Sequence, residues 1–418
     1  MKILLIVPYV PNLIRVRSFQ LINALMQRGH HITLATLWSN EAERADLAPL
    51  TALGVRVLAQ PMPAWRALVN TLRSVPTSSP LQAVYSWQPA LAHKINELLQ
   101  SELFDVVHVE HLRGARYGLA AQTVIQRLAK PIPVVWDSVD CISHLFQQAA
   151  QASRSHQARL LTKLDLPRTR RYEGHLVRQF DQVLVTSPTD RTALLHLASV
   201  EDDRDDIGRH VHVLPNGVDL AYFSPNGAAR EPATIVFSGK MSYHANITAA
   251  LHLVNDIMPR VWRHRPQTKV WIVGKDPSSA VQALAATAGK NVVVTGTVAD
   301  LRPYLQAATV AVAPIPYGAG IQNKVLEAMA CAAPVVASPQ ASSALQARNE
   351  HDLLITAYPE QFAAHILHLL DNPGQCNDLG RAGRAYVERC HSWQTVAAQL
   401  ENIYAAAVAE KRRDLLCV

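Results

Sequence analysis

Short apolar runs separated by longer amphipathic or charged stretches set the rhythm of this chain. In the first half Ile3–Val7, His31–Leu37, Val55–Ala59, Val106–Val109, Ile132–Trp136 and Val183–Thr186 read as strands. In the second half Ile235–Ser238, Val270–Val273, Val292–Val294, Val310–Ala313, Val335–Ala337 and Leu353–Thr356 take up the same theme. Near-continuous Val, Ile and Leu strands alternating with helical patterns predict βαβ units, with a parallel sheet covered on both faces. The expectation is an α/β chain with two such sheets in tandem, without a visible sequence repeat.

A polar, acidic run, Glu201–Asp206, separates the halves. It is followed by Leu214-Pro215-Asn216-Gly217-Val218-Asp219 and a Pro/Gly-containing stretch to Pro232. These turn-rich residues predict a first domain over 1–190, a linker region over 191–232 and a second domain over 233–390. Residues 391–418 then read as a C-terminal helix that packs back on the first domain. A 418-residue chain has room for two domains, and 49% hydrophobic against 17% charged residues excludes a disordered one. No stretch approaches the roughly 18 apolar residues of a membrane span. The N-terminal apolar run is too short for a signal peptide and reads as a buried strand. Five scattered cysteines without metal or redox spacing fit reduced thiols, so a cytoplasmic location is expected.

The net charge of +7 is unevenly placed. Residues 1–187 hold 20 Lys/Arg against 12 Asp/Glu, whereas the remainder holds 20 against 21. A basic first half suits an anionic membrane face, a phosphorylated acceptor or nucleic acid. No zinc-finger spacing or aromatic RNA-binding signature is present, so nucleic acid is not expected as a partner. Two stretches bear on the membrane. Trp65, Leu68, Val69 and Leu72 fall at helical spacing beside Arg66 and Arg73. The second stretch carries Arg154, Arg159, Lys163, Arg168, Arg170, Arg171 and Arg178. Either stretch reads as a basic amphipathic element resting on an anionic bilayer, or as a helix covering the first sheet.

The segment richest in chemistry is Pro314-Ile315-Pro316-Tyr317-Gly318-Ala319-Gly320-Ile321-Gln322-Asn323-Lys324-Val325-Leu326-Glu327-Ala328-Met329-Ala330. A strand runs into a Gly-containing loop, and a helix is expected to start near Ile321. Helix N-terminal amides with a nearby lysine favour a phosphate, and Glu327 is placed to accept from sugar hydroxyls. An ordinary helix with a surface glutamate is the alternative.

With the Pro334-Val335-Val336 strand after it, this segment resembles the donor-site signature of the retaining glycosyltransferases of family 4. Leu214–Asp219, Phe223-Ser224-Pro225, Phe237-Ser238-Gly239-Lys240-Met241, Val273-Gly274-Lys275, Val294–Val298, Phe180–Asp190 and Trp393 agree with that family in order and spacing. The resemblance implies the GT-B architecture: two Rossmann-like parallel-sheet domains facing across a cleft, with a nucleotide diphosphate sugar as donor. It implies no metal and no cofactor. Gly320-Ile321-Gln322-Asn323-Lys324 is closest to the exopolysaccharide-associated branch, with a glycan or lipid-linked acceptor at the inner membrane face.

Position by position, the resemblance assigns Gly239, Gly296, Val298, Gly320, Ile321, Gln322, Asn323 and Glu327 to donor binding. His111, Lys240 and Lys324 take the catalytic roles. The family usually has a glutamate where Ala319 stands, and an arginine where Lys240 stands. It also has a lysine about five residues later, where this chain has His244, Ala245 and Asn246. Lys324 then supplies the missing charge. In the first domain either His111 or Glu110 meets the transferred sugar. Arg17 reaches a phosphate or acceptor, or else begins a solvated helix. Asp137 and Asp140 form an acid/base pair or cap a loop. Two further readings stand beside the transferase: a catalytically degenerate scaffold subunit of a polysaccharide assembly complex, and a nucleotide-sugar epimerase or hydrolase.

Overall fold

The computed structural model describes residues 1–12, 15–152, 156–199, 207–287, 289–317 and 321–416. Among them, the apolar runs assemble into two parallel sheets. The first contains β1 (Lys2–Val7), β2 (His31–Trp38), β3 (Arg56–Pro61), β4 (Val106–Glu110), β5 (Val134–Val139), β6 (Gln182–Val185) and β7 (Val211–Val213). The second contains β8 (Glu231–Ser238), β9 (Lys269–Val273), β10 (Val292–Gly296), β11 (Ala308–Ala313), β12 (Val335–Ala337) and β13 (Leu354–Ile355). Helices on both faces leave β1 buried from Ile3 onward and β4 buried throughout. That is why these strands read as unbroken hydrophobic runs rather than as an alternation.

The strand order is β3-β2-β1-β4-β5-β6-β7 in one sheet and β10-β9-β8-β11-β12-β13 in the other. In each, the chain winds outward from its first strand and then returns to that strand's other side. The order therefore reverses between β1 and β4, and again between β8 and β11. Ligands of doubly wound sheets bind beyond the strand carboxyl ends at such a reversal.

The chain divides into two compact units, Met1–Pro215 with Val396–Val418, and Asn216–Thr395. This moves the boundary expected at 190 and breaks up the expected linker over 191–232. Helix Pro188–Ser199 buries Leu194 and Ala198, and Val211–Val213 pairs with β6 as the seventh strand. A three-residue strand beside a charged run carries too little pattern to be seen as one. The acidic run at 201–206 lies outside the described residues.

The last helix, Trp393–Leu416, begins in the second unit, where Trp393 lies against Gly217. A Cβ at Gly217 would come within 2.6 Å of the indole. From Val396 onward the helix belongs to the first unit. There Tyr404 shares a 2.7 Å hydrogen bond with His108 Nδ1, and Arg28 donates two hydrogen bonds to Glu401 at 2.7 and 2.6 Å. No helix among the described residues is long and apolar enough to cross a membrane.

Candidate functional site

In the second unit, the loops after β8 and β11 meet where the strand order reverses. Gly239 ends β8 with φ +149° and Gly274 ends β9 with φ +150°. A Cβ at Gly274 would lie 1.7 Å from the Gly239 carbonyl oxygen, so the two turns press backbone against backbone and only glycine fits. The Gly239 amide donates to Val273 O at 3.0 Å and completes that junction.

Helix Asn323–Ala330 follows β11 and is preceded by Gln322 as its N-cap, two residues later than expected from the sequence. Ile321 anchors this start in the second unit's core. The Lys324 ammonium donates to Asn246 Oδ1 at 2.8 Å and to Gln322 Oε1 at 3.3 Å, and sits 5.6 Å from the Phe237 ring centre. Asn246 is itself buried, and its Nδ2 donates to the Lys240 carbonyl at 2.9 Å. One amide therefore joins the β8 loop to the lysine of the β11 loop. Lys240 itself is exposed. Asn323 accepts from Asn216 Nδ2 at 3.4 Å.

Burial pushes Lys324 down to about 8, with Glu327 pulling it partly back. Burial pushes Glu327 up to about 7, with Lys324 opposing. Both groups are thus poised within reach of neutral pH, as groups that await a charged or hydroxylated ligand often are. Gly296 ends the edge strand β10 with φ +68°, and Val298 packs half-buried on the core beside it. Gly320, expected in the phosphate loop, lies outside the described residues, as does Ala319. Before that gap the Tyr317 ring stacks on His244 at 5.3 Å between centroids.

In the first unit, the loops after β1 and β4 flank the other reversal. His111, directly after β4, holds φ +65°, a conformation uncommon outside glycine. Its carbonyl accepts from Trp136 Nε1 at 3.3 Å. The Arg113 amide donates to its Nδ1 at 3.4 Å, which leaves Nε2 to carry the ring proton. Burial, then the Arg113 charge, pushes His111 down to about 4, so the ring is a neutral hydrogen-bond donor at pH 7.

Glu110, the alternative to His111, is turned into the interior, since neighbours at a strand end alternate faces. Its Oε1 accepts from Tyr9 and from Ser18 at 2.7 Å, so it fastens the first loop. Arg17 neither reaches toward a phosphate nor starts a solvated helix. It is buried, donates to Asp137 Oδ2 from Nε at 3.0 Å and Nη2 at 2.8 Å, and reaches the Leu214 carbonyl at 3.2 Å. Asp137 is committed to this internal pair and to the Val139 amide, not to acid/base work. Asp140 accepts from Thr186 at 3.2 Å, and burial pushes it up to about 6. Asn246 was missed in the sequence. Its one signal was a polar residue in the His244-Ala245-Asn246 neighbourhood where the family has a lysine.

Comparison with known proteins gives this geometry its context. A family model described as Glycosyltransferase Family 4 matches residues 15–222, and one described as Glycosyl transferases group 1 matches residues 232–372. The MMP alpha-(1->4)-mannosyltransferase of Mycolicibacterium hassiacum is 28% identical over 258 residues, 58% of this chain. The match spans 60% of that relative's length. The solved sucrose-phosphate synthase of Thermosynechococcus elongatus superposes with a TM-score of 0.66 at 19% identity, over 98% of this chain and 100% of that one. Anabaena HepE in complex with UDP gives 0.61 at 14% identity, over 97% of this chain and 100% of that one. With both sheets wound alike and the two models matching in tandem over most of its length, the chain belongs to the family 4 glycosyltransferases and has their GT-B fold.

Proposed function

We propose that this chain transfers a sugar, with retention, from a nucleotide diphosphate donor to a hydroxyl of a glycan or lipid-linked acceptor. The observation that carries the reading is the linked set at the second unit's strand-order reversal. There a half-buried Lys324 is held by Asn246 against the Gly239 turn, with Glu327 one helical turn further on. A half-buried ammonium at the N-terminus of a helix favours a diphosphate, because the helix amides and the cation act together where water screens them little.

In the proposed reaction the bond from the sugar's anomeric carbon to the diphosphate oxygen breaks while the acceptor oxygen bonds that carbon. The acceptor's proton leaves to the departing diphosphate. Lys324 and Lys240 stabilise the charge that grows on this leaving group. Glu327 accepts from the ribose hydroxyls, and Gly296 and Val298 meet the base. In the first unit, His111 donates from Nε2 to the transferred sugar or its phosphate. HepE was solved in complex with UDP, which supports including UDP and its sugar conjugates among the ligands tested. Similarity of the Gly320–Lys324 segment to the exopolysaccharide branch supports a role in cell-surface polysaccharide synthesis.

Calorimetric titration of the purified protein with UDP, GDP, ADP, TDP and their sugar conjugates tests this reading. One nucleotide is expected to bind selectively and to lose affinity in Glu327→Ala. Binding of none, with and without acceptor glycans, would sink it and leave the scaffold reading.

A further inference from the structure

Helix Ala64–Ser74 is packed inside out. Its small and polar side, not its apolar side, meets the first unit. Ala67 touches the core, Ser74 is buried, and Asn70 Nδ2 donates to the carbonyls of Tyr85 at 3.1 Å and Trp87 at 2.8 Å. The opposite side presents Trp65, Leu68, Leu72 and the adjoining Val75, which are 59%, 60%, 60% and 55% exposed. Their spacing of three, four and three residues keeps them in one stripe, about 15 Å long at 1.5 Å per residue. Four large apolar side chains in a row are more than the scattered exposure of an ordinary surface.

The charges around the stripe decide what covers it. Arg66 lies over the Trp65 ring at 4.8 Å, and Arg73 is exposed on the same helix. Arg168 reaches across to the Val75 carbonyl at 2.9 Å. Residues 47–96 contain no Asp or Glu, but include Arg56, Arg66, Arg73 and Lys94. Asp165, which comes close, is buried and turned onto the Leu81 amide. A second copy of this chain seated on the stripe would set like charges against each other, because a two-fold contact brings the same patch to both sides. An anionic surface has the matching sign, and an indole with an arginine at one end of the stripe suits the boundary between headgroups and acyl chains.

We infer that helix Ala64–Ser74 docks the first unit on an anionic lipid bilayer, with Trp65, Leu68, Leu72 and Val75 entering the interface and Arg66 and Arg73 meeting the headgroups. The inference is independent of the donor site, so failure of one leaves the other standing. The full chain is sedimented with vesicles of phosphatidylcholine alone, and of phosphatidylcholine with phosphatidylglycerol. Binding is expected to the anionic vesicles and to weaken at high salt. Leu68→Ser with Leu72→Ser should lower the partition coefficient by about tenfold or more, through lost apolar burial. Arg66→Gln with Arg73→Gln should lower it by about tenfold or more through the two charges. These side chains are exposed or rim the stripe, and both variants should keep the wild-type melting temperature and nucleotide affinity. The inference is overturned if the wild type stays in the supernatant with anionic vesicles, or if both variants bind them as the wild type does. It is equally overturned if light scattering shows a wild-type dimer that Leu68→Ser with Leu72→Ser dissociates.

Discussion

Replacing Lys324 by methionine separates the demands of folding from those of ligand binding. The displacement of Lys324 from 10.5 to about 8 means that the charged form costs about 3 kcal/mol in the folded protein at pH 7, at 1.36 kcal/mol per pH unit. Methionine keeps most of the length and removes that cost. It also removes the hydrogen bonds to Asn246 and Gln322, and an unpaired buried Asn246 oxygen costs about 1–2 kcal/mol. The net expectation is a gain of about 1–2 kcal/mol. For a unit of this size, at about 2–4 °C per kcal/mol, that raises the melting temperature by about 2–8 °C. Because the folded-state value lies below the unfolded one, the wild-type penalty is complete below pH 8 and fades as pH rises toward 10.5. The wild type should therefore grow more stable over that interval relative to Lys324→Met. Nucleotide affinity should fall about ten- to a hundredfold, the worth of a hydrogen bond to a charged group. Differential scanning calorimetry between pH 6 and 10 (about two units either side of the transition), with isothermal titration at pH 7.5, measures both. A variant that melts lower than the wild type while binding nucleotide undiminished would refute the assignment of Lys324 as a ligand cation held at the expense of stability.

Three further outcomes are expected. Nucleotide affinity should rise as Glu327 ionises near pH 7 and fall as Lys324 loses its proton near pH 8. Glu327→Gln should abolish the acid limb alone, as titration across that range will show. Arg17→Met leaves the Asp137 carboxylate buried without its partner and should cost about 3–5 kcal/mol in urea denaturation. It should leave nucleotide affinity of the remaining folded protein unchanged. Glu401 is held down to about 2, first by hydrogen bonds from Arg28, and its contribution is present above about pH 4.5 and lost as pH falls toward 2. Solvent screening keeps that contribution to about 1 kcal/mol or less, and Glu401→Gln should remove this acid loss from the melting profile.

Much of this protein was legible in its sequence. Buried parallel strands must be apolar along their whole length, so all but one of the strands announced themselves, as did the loop that leads to Lys324 and Glu327. The three-residue β7 carried no comparable signal, and the first unit therefore extends 25 residues past its expected end at 190. The sequence also held every residue of the Lys324–Asn246–Gly239 set, but not their meeting. Gly239 and Asn246 are separated from Lys324 by most of the second unit's winding, and only the reversal between β8 and β11 joins them. The same holds for Arg17 and Asp137, 120 positions apart, which read singly as a phosphate-reaching or solvated arginine and an acid/base or capping carboxylate, and which pair in the interior. Helix Ala64–Ser74 shows the limit most plainly. Its periodicity picked out Trp65, Leu68 and Leu72, although Val75 and not the half-buried Val69 completes the exposed stripe, and periodicity has no sign. Which side faces in was decided by the Asn70 amide finding the Tyr85 and Trp87 carbonyls, a contact that exists only once the chain has folded.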